Sequence, residues 1–252
     1  MKQDIYPLML TELFGRKRRI RMHELTIKPI AFIENDFNEK FGIPRQGGLI
    51  KEITGKITFT EKYRNPDALR GLEGYSHLWL VWGFSENKDY DFHPTVRPPL
   101  LGGNIRMGVF ATRSPYRPNP LGLSVVRLEK IVLNEKDGPA LYISGADLLN
   151  GTPIYDIKPY LAYVDSYPEA LGGFTDNLDL EKRELQVQIT EELLNKIPQD
   201  KHPSLLKVLA LDPRPGYQKD ERIYGLSFAG FNISFMVADK TLIVQNIDKI
   251  DT

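Results

Sequence analysis

From residue 25 to about residue 167 the chain is a succession of short apolar or alternating runs of strand length, broken by Gly, Pro and Asn. Alternation with a period of two places every second side chain on one face of a sheet, and runs this short leave no room for amphipathic helices. Candidate strands are 27–33, 48–60, 77–84, 108–112, 123–133 and 140–145, and one helix is expected over 65–72. Asn65 suits its cap and Pro66 its first turn. Many strands with few helices predict a mainly β barrel or sandwich. Past Pro168 an acidic, turn-rich linker over 169–184 leads to a mixed segment. It offers a strand over 184–190, a helix from Thr190-Glu191-Glu192 to Lys196, and a helix over 203–211 with Leu205, Leu206, Val208 and Leu209 on one side. Strands over 223–237 and 241–247 follow, joined by a tight turn at Ala238-Asp239-Lys240. The expected organisation is an extension over 1–24, a β domain over 25–167 and a small α+β domain over 168–252.

Several function classes are excluded by what is missing. The chain of 252 residues balances 33 basic against 33 acidic side chains, so any anionic partner must be met by local charge segregation. Absence of cysteine removes disulfides, thiol catalysis and Cys-based metal sites, which suits a reducing cytoplasm. No apolar run reaches the roughly 18–20 residues of a membrane helix, so a soluble, cytoplasmic protein without a membrane partner is expected. Neither G-x-G-x-x-G, the P-loop pattern nor the G-x-S-x-G elbow occurs. The only imidazoles, His23, His77, His93 and His202, do not pair at metal-site spacing, so no metal is expected. His77 lies inside an apolar run and reads as a core histidine. The first 21 residues carry six basic and two acidic side chains ahead of Met22. They read either as a loose extension outside the functional chain or as a basic arm on RNA.

Between Asp91 and Glu129 stand 37 residues without Asp, Glu or Lys, yet with Arg97, Arg106, Arg113, Arg117 and Arg127. Guanidinium offers a planar fork for phosphate or carboxylate and can stack on bases, whereas ammonium is a point charge. The same stretch holds prolines 94, 98, 99, 115, 118 and 120, so it is a stiff loop that presents arginine and polar groups in fixed positions.

Residues 106–124 read RMGVFATRSPYRPNPLGLS, a string that strongly resembles the TsaA-like (YaeB/TrmO) family of tRNA methyltransferases. The resemblance extends through Pro44-Arg45-Gln46, Gly71-Leu72-Glu73, Ser76-His77-Leu78-Trp79, Asp147-Leu148, the run GTPIYDIKPY at 151–160, and Asp212-Pro213-Arg214-Pro215 with Tyr217. It implies a β-barrel domain that binds S-adenosylmethionine, a small C-terminal domain and a homodimer. It further implies N6-methylation of threonylcarbamoyladenosine beside the anticodon, with the tRNA anticodon loop as partner. The cofactor contacts it implies are Pro44, Arg45, Gln46, Arg113, Leu123, Ser144, Gly145, Ala146 and Asp147, with Ser85 and Glu86 after the S-H-L-W strand. Residues 1–21 lie outside it.

Methyl transfer from a sulfonium is an in-line displacement, so alignment and water exclusion matter more than a covalent step. A base for the acceptor nitrogen is not identified; Asp147, Tyr116 and Tyr160 are candidates by chemistry alone. Arg113 and Arg117 suit a cofactor carboxylate, a threonyl carboxylate or a phosphate. Arg97, Arg106, Arg117, Arg214 and Tyr217 are the RNA-binding candidates. The rival readings are a noncatalytic RNA-binding module and a barrel methyltransferase for another substrate.

Overall fold

A computed structural model describes residues 24–86, 92–176, 184–214 and 222–250. Its first unit is a closed barrel of six strands: β1 (Ala31–Asn35), β2 (Thr54–Phe59), β3 (His77–Gly83), β6 (Leu121–Glu135), β7 (Gly138–Ser144) and β8 (Pro153–Pro159). They run in the order β1-β2-β7-β6-β3-β8, every pairing antiparallel. Alternation explains the closure, because Leu78, Leu80 and Trp82 of β3 point inward and meet Ala31, Ile33, Ile57, Val126, Leu141, Ile143 and Ile154 from the other strands. Closure leaves no unpaired sheet edge.

Between β3 and β6 the Arg-rich, acid-free stretch leaves the barrel. It forms two two-residue strands, β4 (Thr95–Val96) and β5 (Met107–Gly108), with a 3-10 turn, Pro99–Leu101, between them and another, Val109–Ala111, after them. A strand expected over 108–112 is therefore corrected to a strand end plus a turn. The ladder cannot extend, because Pro94, Pro98 and Pro99 have no N–H to donate. The expected helix at 65–72 is likewise shorter, a 3-10 helix at Pro66–Leu69; Asn65 does cap it, accepting from the Asp67 N–H at 3.0 Å. Strand β8 was not among the expected strands, although its residues belong to the GTPIYDIKPY run.

A short helix α1 (Ala162–Asp165) leaves the barrel, and a second sheet follows. Its strands are β9 (Gln186–Gln188), β10 (Tyr224–Phe228), β11 (Phe231–Ala238) and β12 (Thr241–Lys249), in the order β10-β11-β12-β9, with helices α2 (Glu191–Leu194) and α3 (His202–Ala210). The strand expected over 223–237 is folded in two at Ala229 and Gly230, whose φ values of 52° and 82° make the tight reversal of a hairpin. The core of this sheet takes in Phe37, Ile50 and Ile53 from the long β1–β2 connection. That connection is also held by the Ala229 N–H bonded to the Asp36 carbonyl at 3.0 Å and by a Lys201–Asp36 ion pair at 2.6 Å. Pinned at both ends, it carries Pro44, Arg45 and Gln46 across the barrel mouth.

Candidate active site

Where the β1–β2 connection, the end of β3 and the Arg-rich loop converge, they enclose a cavity of about 590 Å³. The loop holds its own shape. Thr112 Oγ1 donates to the Val109 carbonyl at 2.9 Å, the Tyr116 N–H donates to Ser114 Oγ at 3.2 Å, and Arg117 Nη1 donates to the carbonyls of Thr112 and Ser114 at 3.0 and 3.3 Å. Arg117 is thus a staple of the loop as well as a wall of the cavity. Arg113 reaches across to the β1–β2 connection, its Nη1 donating to Gln46 Oε1 at 2.5 Å. Arg45 is anchored from the second unit, since its Nη2 donates to the Arg214 carbonyl at 3.3 Å.

Asp147 forms the polar floor. It follows β7, and Ser124 of β6 donates its hydroxyl to Asp147 Oδ1 at 2.6 Å. Burial raises the carboxyl above its ordinary pKa, opposed by the Ser124 bond, the N–H groups of Asp147 and Gly47, and the Arg113 charge. The apolar wall comes from Trp79, Trp82 and Phe84, the last two in edge contact with ring centroids 4.4 Å apart. The Trp79 indole donates to Asp165 Oδ2 of α1 at 3.0 Å.

Of the sequence-derived candidates, Pro44, Arg45, Gln46, Ser85, Glu86, Arg113, Leu123 and Asp147 all line this cavity, as do Tyr116 and Arg117. Ser144, Gly145 and Ala146 do not. Ser144 Oγ donates to Glu129, Gly145 bridges the main chains of Gly48 and Ile53, and Ala146 is buried, so the three brace Asp147 from behind. Tyr160 also lies outside the cavity lining, its ring beside His77 and Trp79. Arg97 and Arg106 are exposed on the β4–β5 excursion, where Arg106 donates to Thr95 Oγ1. Arg214 points away from solvent: its guanidinium forks onto Asp212 at 2.8 and 2.9 Å and lies near the Tyr224 ring. Tyr217 lies outside the described residues. The sequence did not mark Lys40, Trp79, Trp82 or Phe84 as site residues; both tryptophans sat in a strand already noted, but which face each would present depended on the barrel. Among the described residues no cluster of His, Asp and Glu suits a metal ion.

A cavity of this size, with an aromatic wall facing convergent charged and polar groups, suits a nucleoside-sized ligand. Its donor set fits S-adenosylmethionine: guanidinium for a carboxylate, a carboxylate for hydroxyl or amine donors, and aromatic faces for a purine or a sulfonium.

Comparison with known proteins agrees with this arrangement. Residues 32–166 match the family described as tRNA-methyltransferase O N-terminal domain, and residues 182–250 match the TrmO C-terminal domain. The chain is 40% identical over 227 residues to the tRNA (adenine(37)-N6)-methyltransferase of Escherichia coli K12, covering 86% of this chain and 95% of that protein. It is 37% identical over 138 residues to a Pyrococcus abyssi protein described as a "probable S-adenosyl-L-methionine-binding protein", covering 55% of this chain and 69% of the other. The crystal structure of TrmO from Pseudomonas aeruginosa superimposes with a TM-score of 0.70 at 31% identity, covering 90% of this chain and all of that one.

Proposed function

The chain belongs to the tRNA-methyltransferase O family, and from that premise we infer that it transfers a methyl group from S-adenosylmethionine to N6 of adenosine 37 in tRNA. The observation that carries the reading is the convergence of Gln46, Arg113 and Asp147, from three separate segments, on one cavity beside an acid-free arginine loop.

When bound, S-adenosylmethionine supplies an electrophilic methyl group on a sulfonium. The protein's part is binding and alignment. Arg113, held by Gln46, offers its guanidinium to a carboxylate, and Asp147 accepts from hydroxyl or amine donors. Trp79, Trp82 and Phe84 keep water from that side of the cavity. We assign Tyr116 to the mouth, where its half-exposed ring is placed for the incoming nucleotide. Arg97 and Arg106 on the exposed excursion suit anticodon-loop phosphates.

The finer substrate we propose is threonylcarbamoyladenosine, whose free carboxylate matches a loop of arginines without a competing acid. The protein is taken to work in the cytoplasm as a homodimer. In support of the dimer, Tyr163 and Val164 of α1 are exposed apolar side chains beside β3, where Asp165 of the same helix is bonded to Trp79. The direct test incubates the protein with S-adenosylmethionine and tRNA with or without the threonylcarbamoyl group, then measures nucleosides by mass spectrometry. The added methyl should appear on the threonylcarbamoyl nucleoside only. Equal methylation of unmodified adenosine would refute the finer substrate, and no methylation of either would refute the activity.

A further inference from the structure

Strand β6 turns Gly122, Ser124 and Val126 into the barrel, and a serine hydroxyl in that row must find partners because it is buried away from water. Ser124 has two. The Trp82 indole N–H donates to Ser124 Oγ at 3.0 Å, and Ser124 Oγ donates to Asp147 Oδ1 at 2.6 Å. The direction of this chain is fixed by chemistry. An indole N–H can only donate, so it occupies one lone pair of the hydroxyl, and with Asp147 ionised, and so able only to accept, the hydroxyl proton points to the carboxylate. Oδ1 is therefore an acceptor, and the carboxylate cannot turn about its Cβ–Cγ bond without breaking the Ser124 bond.

Two glycines make room for this chain. A Cβ on Gly122, opposite Trp82 in the β3–β6 ladder, would lie 2.2 Å from the indole. A Cβ on Gly47 would lie 3.2 Å from Asp147 Oδ1 and 3.5 Å from Ser124 Cβ. The charged groups that share the cavity with Asp147 are Lys40 and Arg45 of the β1–β2 connection, Glu86 beyond β3, and Arg113 and Arg117 of the loop, with the Tyr116 phenol beside them. Of these, Arg113 acts on Asp147 and favours its anion.

We propose that Ser124 is the positioning residue of the cofactor site: it relays the Trp82 indole to Asp147 and holds that carboxylate in one orientation towards the cavity. The proposal rests on the cofactor reading of the cavity. Ser124 touches no reacting atom in this scheme.

The chain has two tryptophans, so an indole ¹⁵N–¹H spectrum of the ligand-free protein has two signals, each hydrogen-bonded to a different acid network. The Trp82 signal should follow Asp147 and move at a higher pH than an ordinary aspartate titrates, whereas the Trp79 signal should follow Asp165 and move at a lower one. In Ser124→Ala the Trp82 response should shrink several-fold while the Trp79 response stays. Calorimetry with S-adenosylhomocysteine should show about tenfold weaker binding, with its acid limb shifted to higher pH. In an Asp147→Asn background the serine change should cost no further affinity, because coupled groups are not additive. An unchanged Trp82 titration or an unchanged acid limb in folded Ser124→Ala overturns the proposal. If Ser124→Ala does not fold, Asp147→Asn decides, since a Trp82 response that survives there overturns it equally. Folded wild type that binds no S-adenosylhomocysteine at any pH overturns the cofactor reading, while the indole titration still judges the relay.

Discussion

A carboxyl group that loses water on burial holds its proton more tightly, and Asp147 lies in such a place. Its folded-state value is raised above the unfolded one, so the folded protein binds the extra proton. The stability this contributes is fully present below the unfolded value of about 3.8 and is lost as pH rises through the folded value. Affinity for the cofactor runs the other way, because only the anion accepts freely. Asp147→Asn should therefore melt no lower than wild type near neutral pH while binding S-adenosylmethionine at least tenfold more weakly; a lower melting temperature with intact binding would contradict both halves. Asp165 has the opposite sign. The Leu161 N–H and then the Trp79 indole lower its value, so its contribution is present above about 3.8 and disappears as pH falls through the folded value. Asp165→Asn should flatten that acid-side loss in melts recorded between pH 2 and 5. Arg113 is exposed and ties chiefly to Gln46, so Arg113→Ala should weaken cofactor binding tenfold or more, about 1.4 kcal/mol, with little change in melting. Wild-type affinity in that variant would remove Arg113 from the site.

At the level of elements, the site depends on how β3 meets its two neighbours. Opposite β6, Trp82 faces Gly122, and opposite β8 the register slips between Val81 and Trp82. The slip brings the Tyr155 ring against Gly83, where a Cβ would lie 2.7 Å from it. Register shifts of this kind re-aim the side chains at a barrel rim, and here the slip falls at Trp82, a wall of the cavity. Gly122→Ala should force Trp82 off Ser124 and destabilise the fold by roughly 1–3 kcal/mol, the usual cost of overpacking. Thermal unfolding measures this, and an unchanged melting temperature would mean that the indole has another place to go. The strap formed by Arg117 across the Thr112 and Ser114 carbonyls explains why the loop can be rigid without regular structure.

Across the whole molecule, each sheet has its own core, and the second core draws part of its filling from the first unit's chain. Phe37, Ile50 and Ile53 leave the barrel's β1–β2 connection and are almost fully buried among Leu205, Leu226, Phe228 and Phe235 of the second unit. Truncation after residue 167 would expose those three side chains, each worth about 1.5–3 kcal/mol when buried. It would also strip Arg45 of its Arg214 anchor. The full chain should therefore unfold in a single calorimetric transition, and the truncated barrel should melt lower and bind cofactor more weakly. Two resolved transitions in the full chain would contradict this coupling through Phe37, Ile50 and Ile53.

Much of this was legible in the sequence. Alternating runs determined a mainly β first unit, because a period of two commits every second side chain to one face. The acid-free arginine stretch marked the working loop, and the motif strings marked Pro44, Arg45, Gln46, Arg113, Leu123 and Asp147, which the fold brings to one cavity. Other features depended on distance in space. That Trp79 and Trp82, three residues apart on one strand, both reach the site was decided by β3 ending at the barrel rim. That Arg214 turns inward onto Asp212 was decided by packing, since the same D-P-R string presents its guanidinium outward or inward equally well. Ser124 could be read as one more hydroxyl in a strand. Only the strand pairing, which sets β6 between β3 and β7, places it between an indole that must donate and a carboxylate that must accept.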